Sequence, residues 1–407
     1  MSVEKITRIL QQGAVGAAEL KMLLGISQPT LSRWVKRVPD LVRIGETYHS
    51  KYALQIEAPG VGSEQSVYMV TEEGVLKPVG VIKFLKADQT AFIPMGGVYD
   101  GYYPSLYDMM PEGYMGEAFV RRYGSALGFP KELGDWSEPQ KLIAIAKRGE
   151  DLVGNLVFGR ESAERWQQLQ TREFRMEDLP ILARQASAGY PAGSPVGGTQ
   201  PKFGVFTGNK HYLVKYVRKD NTPTSNRWIE LLRCEHTALN ILLKFGLPAT
   251  HTRVTESDEF VFLLCERVDR IGAKGRRPVI SLGAVDKHFY GDPQRWSLTG
   301  EKLLSDGRIS RLTLEQIKLI EAFSILIGDS DRGFDNLSLI PDLNFGKFTL
   351  AHAYDKLPMS FAPHRGDIPS RKFLPPLPEN NLIEVWEKAE KMASEFWFHT
   401  RYRTFNK

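Results

Sequence analysis

The stretch Gly328-Asp329-Ser330-Asp331-Arg332-Gly333-Phe334-Asp335-Asn336 constrains this chain more than any other. A helical run from Leu312 to Ile327 leads directly into it. Two strand-like segments, Leu337 to Ile340 and Phe348 to Ala351, then form a hairpin that ends at Tyr354-Asp355. An Asp, an Asn five residues on and a second Asp after a hairpin are what phosphoryl transfer from a nucleotide needs. Asp331 would orient or deprotonate the acceptor hydroxyl, while the Asn336 side-chain oxygen and Asp355 hold magnesium against the phosphates. For these side chains to meet, helix, loop and hairpin must fold onto one another. Asp, Gly and Asn also fill ordinary turns, so the rest of the chain has to decide.

Composition narrows the class. With 407 residues there is room for two or three domains and ample buried core. A 42% hydrophobic and 25% charged content fits a soluble globular protein. No apolar run approaches the roughly 18 residues of a membrane span, and Met1-Ser2-Val3-Glu4-Lys5-Ile6 lacks a signal-peptide layout. Two cysteines, Cys234 and Cys265, sit in apolar surroundings, against a disulfide framework or a zinc module. The eight histidines are scattered, with no pair at ligand spacing on a helix. A cytoplasmic protein without membrane contact is the expectation.

The net charge of +5 is unevenly spread. Residues 1–54 carry eight Lys and Arg against four Asp and Glu, or +4, which leaves +1 for the remainder. A basic module on a nearly neutral body suggests a polyanion-binding appendage. Ile6, Ile9 and Leu10 repeat at helical spacing before Gly13, a second helix runs from Ala17 to Leu24 and stops at Gly25, and Ser27 and Pro29 open a third. A helix, a glycine turn and a helix with polar residues at its start describe a helix-turn-helix. Gln28, Thr30, Ser32 and Arg33 would face the major groove of duplex DNA, with Arg37 and Lys36 near phosphates. Two strands around Gly45-Glu46 could form a wing, and Ala58 to Ser63 reads as a linker. A small helical bundle for protein contacts is the bland alternative.

Residues 65 to 98 alternate apolar and polar around glycines, which predicts two or three antiparallel strands, followed by aromatic loops and helices to about residue 148. No chemistry stands out there. Next, Ser194-Pro195-Val196-Gly197-Gly198-Thr199-Gln200-Pro201-Lys202 offers adjacent glycines whose backbone could cradle phosphate oxygens, or serve as a mobile linker. It precedes a strand, Lys210 to Val217, that carries Lys215 in an apolar setting, a costly place for an ammonium without an anionic partner. The α- and β-phosphates of ATP would supply that partner; a snorkelling edge-strand lysine is the alternative. On the amphipathic helix from Trp228 to Gly246, Glu235 and Glu230 compete to pair with Lys215. Phe260 to Arg270 reads as a buried strand turning polar. In a kinase-like fold such a strand ends in an adenine-binding hinge, with Asp269 near the ribose.

Together these motifs resemble the HipA family of bacterial serine/threonine kinases, toxins of toxin–antitoxin systems, over residues from about 65 to 400. The resemblance is carried by residues 194–202, the strand around Lys215, Glu235 followed by Phe245-Gly246-Leu247, Glu266-Arg267-Val268-Asp269-Arg270, Asp331 to Asn336, and Tyr354-Asp355. It implies Asp331 as catalytic residue, Asn336 and Asp355 as magnesium ligands, and Lys215 on the phosphates. It implies adenine contacts along Glu266, Arg267 and Val268, and a phosphate loop from Gly197 through Lys202, including Gly198, Thr199 and Gln200. ATP and Mg2+ are the implied cofactors, and a protein Ser/Thr hydroxyl is the implied acceptor. Pro195 stands where the family carries a self-phosphorylated serine, which leaves Ser194, displaced by one, as the candidate; Gly333 stands where a histidine is usual.

The expected fold is therefore α+β: a protein-kinase-like HipA fold with a β-rich N-subdomain and a helical C-subdomain, preceded by a winged helix-turn-helix. The expected divisions are 1–58 for DNA binding, 65–150 for a β-rich subdomain, 151–270 for phosphate loop, Lys215 strand and hinge, and 271–407 for the helical lobe with the catalytic loop. The expected function is a HipA-type kinase, toxin-like, with duplex DNA and an antitoxin as partners. The family's HipB antitoxin is a separate DNA-binding protein, a role the N-terminal module could partly supply. The rival reading is a DNA-binding regulator whose kinase-like body only senses nucleotide or acts on DNA.

Overall fold

The computed structural model describes residues 2–46, 50–94, 97–187, 200–342, 345–364, 367–369 and 373–400. The chain forms two compact units: residues 1–71, 75–111 and 119–169 in the first, and residues 72–74, 112–118 and 170–407 in the second.

The first unit opens with α1 (Ser2–Leu10), β1 (Val15–Gly16), α2 (Ala17–Leu24), α3 (Gln28–Val35), β2 (Leu41–Ile44) and β3 (Lys51–Leu54). Gly25 ends α2 with a left-handed φ of 64° and its N–H on carbonyls of the last turn, a conformation that suits glycine. Ile6 and Leu10, read from their helical spacing, are fully buried with Leu20 and Leu31 and pack with Tyr52 and Leu54, while Ile9 is partly buried against this cluster. The strands pair antiparallel in the order β1-β3-β2.

A five-stranded antiparallel sheet follows, from β4 (Glu64–Val70), β5 (Leu76–Leu85), β6 (Gln89–Ile93), β7 (Gly97–Asp100) and β8 (Leu156–Phe158), ordered β7-β6-β5-β4-β8. There are thus four strands over the stretch where two or three were expected, and β8 returns from beyond residue 150 to complete the edge. Helices α4 (Ser105–Met109), α5 (Gly113–Leu127), α6 (Glu138–Arg148) and α7 (Arg160–Gln168) connect these strands, and the first residues of α5 belong to the second unit. Two expectations change here. Residues 58–63 are a packed turn rather than a linker: Ala58 and Gly62 exchange backbone hydrogen bonds, and Val61 is buried. Ile44 and Ala53 of the N-terminal module also share an apolar cluster with Leu85 and Ala91 of the sheet. The reason is plain: one face of the β2–β3 hairpin is apolar and needs cover.

In the second unit, α8 (Leu179–Ser187) is followed by β9 (Lys202–Thr207), β10 (Lys210–Arg218), the long α9 (Pro223–Lys244), β11 (Thr252–Glu256) and β12 (Phe260–Glu266). The sheet is antiparallel in the order β11-β12-β10-β9. Leu179 and Ala183 of α8 cover one face against Val214, Tyr216 and Phe262; Leu232 of α9 covers the other against Leu263 and Cys265. That two-sided cover explains the unbroken apolar run of β12. Both cysteines are free and buried.

The rest is mostly helical. Short strands β13 (Arg270–Ile271), β14 (Gly275–Arg276) and β15 (Ile280–Ser281) lead to α10 (Leu282–Phe289), α11 (Trp296–Ser305) and α12 (Arg311–Leu326). The hairpin β16 (Ser338–Pro341) and β17 (Phe348–Leu350) pairs with β15, and α13 (Ile383–His399) closes on α12. All of α12 from Ile317 to Leu326 is buried, so the loop that follows leaves a rigid central helix. Among the described residues no helix is long and apolar enough to cross a membrane.

Candidate active site

Lys215 sits mid-strand in β10 and is 4% exposed. Its Nζ donates to both Glu235 oxygens, at 2.6 and 2.7 Å, and to Asp355 Oδ1. The competition between two glutamates is resolved in favour of Glu235, which is 1% exposed. Glu230 lies on another face of α9, with Arg227 at 3.5 Å. Burial alone would neutralise Lys215, but the Asp355 and Glu235 carboxylates outweigh it and raise its pKa. Burial likewise works against the Asp355 carboxylate, and Lys215, then Lys202, overcome it and hold it well below the usual carboxylate range. Burial pushes Glu235 up to about 7 despite Lys215, with the Asp355 charge adding to the rise. Asp355 adopts a left-handed φ of 52°, which turns its carboxylate from the hairpin toward β10.

The second half of the site is the loop after α12. Gly328 ends that helix with a φ of 75°. Asp331 is exposed, its N–H donating to Asp329 Oδ1 at 3.0 Å. Asn336 donates its side-chain N–H to the Asp331 carbonyl at 2.8 Å, which leaves its Oδ1 uncommitted among the described residues. Loop and lysine cluster are joined by Lys356, whose Nζ donates to the Asn336 carbonyl at 3.1 Å. The sequence did not mark Lys356, Asp329 or Trp296. A charged residue inside Asp355-Lys356-Leu357-Pro358 was the only signal, and it reads equally well as a surface lysine. Burial raises the Asp329 carboxyl to about 6.

Other expected residues fall variously. Gly197, Gly198 and Thr199 of the phosphate loop, and Ser194, lie outside the described residues. Gln200 is anchored, its amide N–H donating to the Tyr216 carbonyl at 3.1 Å. Lys202 is not in a loop but opens β9, directly opposite Lys215. Like charges in opposed positions repel, so the pair favours an anion between its ammonium groups. At the end of β12, Glu266 pairs with Lys210 at 2.8 Å, and its N–H donates to the His251 carbonyl. The Arg267 N–H donates to the His211 carbonyl, and Val268 follows in the turn. Asp269 is not brought to the cluster: it is 4% exposed and clamped by Arg267 and Arg270 at 2.8 and 2.6 Å. It buttresses the turn, because a buried carboxylate between two guanidiniums is already satisfied. Gln28 and Arg33 on α3, and Arg37 in the turn just past its end, are exposed, and Thr30 and Ser32 on α3 are half-buried.

Beside Asp331 a cleft of about 680 Å³ opens, lined by Ser330, Trp228, Met359, Phe361, His364 and Phe373. Among the described residues no three His, Cys, Asp or Glu could hold a metal alone. An amide oxygen and a carboxylate are hard ligands that suit magnesium when phosphate and water complete the shell, so Asn336 and Asp355 fit that ion.

Residues 194–394 match the HipA-like C-terminal domain, and residues 61–167 match the YjjJ-like toxin middle domain. The curated protein Toxin YjjJ of Escherichia coli (strain K12) is 30% identical over 410 residues, covering 97% of this chain and 92% of that protein. A chain of the Shewanella oneidensis MR-1 toxin–antitoxin complex of HipA, HipB and operator DNA shares the fold. Its TM-score is 0.54 at 15% identity, over 82% of this chain and 91% of that one. Fold and matched domains define the class as HipA-like. Within it, the chain belongs to the YjjJ-like toxin family.

Proposed function

We propose that the chain is an ATP- and magnesium-dependent protein serine/threonine kinase of HipA type, a toxin that carries its own DNA-binding module. The observation that carries this reading is buried Lys215 linking Glu235 on α9 to Asp355, with Lys356 tying Asp355 to the Asp331–Asn336 loop. Magnesium on Asn336 Oδ1 and Asp355 would neutralise charge on the nucleotide phosphates. Lys215 and Lys202 hold phosphate oxygens, and the backbone around Glu266, Arg267 and Val268 receives the adenine. Asp331 orients the acceptor hydroxyl and takes its proton as that oxygen bonds to the γ-phosphorus and the bond from that phosphorus to the β–γ bridging oxygen breaks, releasing ADP, without a covalent enzyme intermediate. The cleft beside Ser330 admits the acceptor segment of a protein. DNA binding is supported by the order α1-β1-α2-α3-β2-β3, by exposed Arg33 on α3 and Arg37 just past its end, and by the +4 charge of residues 1–54. An antitoxin partner is supported by the neighbour's complex with HipB.

The test incubates purified protein and a bacterial extract with γ-labelled ATP and magnesium, and reads label on protein, with mass spectrometry for Ser194. Label on protein that disappears in Asp331→Asn supports the kinase. The direct Lys215–Asp355 contact favours a second reading, a nucleotide-sensing regulator; MgATP binding without transfer would establish it. A protein that binds no MgATP overturns both.

A further inference from the structure

We infer that Lys356, with Trp296 and Asp329, is a positioning group that fixes the backbone of the Asp331–Asn336 loop from beneath. The inference rests on the phosphotransfer reading only for its kinetic arm. Lys356 is 0% exposed. A buried ammonium costs several kcal/mol unless partners compensate it, so its place under this loop has to be sustained by specific contacts. Among the described residues these include the hydrogen bond to the Asn336 carbonyl at 3.1 Å and the face of the Trp296 ring 4.4 Å away. Trp296 in turn donates its Nε1–H to the Gly333 carbonyl at 3.1 Å. Asp329, 1% exposed, accepts the Asp331 N–H on Oδ1, and its Oδ2 is buried without a hydrogen bond among the described residues. The Asp329 carboxylate and the Lys356 ammonium attract each other electrostatically in this buried space.

The loop is thus held at residues 331, 333 and 336 by three side chains whose polar contacts end on its backbone. Gly333 has no side chain of its own to lock the loop, and Trp296 supplies the hold at that residue from outside. Lys356 also follows Asp355 directly. One buried residue therefore sets the spacing between the carboxylate facing Lys215 and the loop that carries Asp331. A simple space-filler would be replaceable by methionine, which has nearly the same length and apolar body.

The experiment compares full-length wild type, Lys356→Met, Lys356→Arg and Asp329→Asn/Lys356→Met. Hydrogen exchange by mass spectrometry follows residues 329–337 and, as reference, α12; MgATP affinity, kcat and KM are measured alongside. Lys356→Met is expected to speed exchange in the loop by about tenfold or more with α12 unchanged. It should lower kcat by about 10- to 100-fold while changing MgATP affinity by less than about threefold. Lys356→Arg should recover part of both. If Lys356→Met alone fails to fold because it strands Asp329, the double variant removes both charges and is read the same way. Loop exchange equal to wild type, or faster exchange in α12 by the same factor, overturns the inference. If wild type transfers no phosphate, the kinase reading fails, and the exchange arm decides the positioning role by itself.

Discussion

Asp329 and Lys215 show how burial changes what a charged residue does. The Asp329 carboxyl is raised from 3.8 to about 6 in the folded chain, mainly by burial. A raised folded pKa stabilises below the unfolded value and loses that contribution as pH rises through 6, so the ionised carboxylate is a burden at neutral pH. Asn at 329 keeps the acceptor for the Asp331 N–H and does not ionise. Relative to wild type, Asp329→Asn should therefore gain about 1–2 kcal/mol between pH 5 and pH 7.5, read from denaturant or thermal melts; a pH-independent difference would count against it. Lys215→Met should behave oppositely at neutral pH. It strands Glu235 and Asp355 and is expected to cost about 3 kcal/mol or more, with nucleotide binding lost by calorimetry. The Asp331→Asn variant should lose about 10²- to 10⁴-fold in transfer while still binding MgATP.

At the scale of elements, the β9–β10 pairing does the assembling, since its register sets Lys202 against Lys215, and β12, the neighbour of β10, leads to the Glu266–Val268 turn. The helix α3 has the simpler task of displaying Gln28 and Arg33 over the buried Leu31, with Arg37 exposed in the turn that follows it. If those arginines meet DNA phosphates, Arg37→Ala should weaken binding to all duplex sequences alike. It should flatten the slope of log K against log salt by about 0.9, measured by fluorescence anisotropy with the full chain. A slope identical to wild type would remove Arg37 from the interface.

For the whole molecule, the first 58 residues are not a detachable appendage. Ile44 and Ala53 pack on Leu85 and Ala91, the Ala14 N–H donates to Gln89 Oε1 at 2.8 Å, and the Ile56 N–H donates to the Phe84 carbonyl. Removing residues 1–58 uncovers that face of the sheet. The truncated chain is expected to lose at least about 5 °C in the melting of the first unit, or to aggregate. Thermal melts with light scattering test this, and an unchanged transition would restore the linker reading of residues 58–63.

By itself the sequence determined what local chemistry can determine. The helix stop at Gly25, the helix end at Ile327, the apolar spacing of Ile6, Ile9 and Leu10, the buried strand β12 and the spacing of Asp331, Asn336 and Asp355 were all legible, because each follows from a few neighbouring residues. The HipA-like class was legible too, from motifs in a fixed order. Only the tertiary structure decided between Glu230 and Glu235, turned Asp269 into a strut, joined the N-terminal module to the sheet and buried Lys356 under the loop. Those outcomes depend on which residues distant in sequence share a low-dielectric space. A charge in the sequence has no partner and no solvent exposure until packing supplies both.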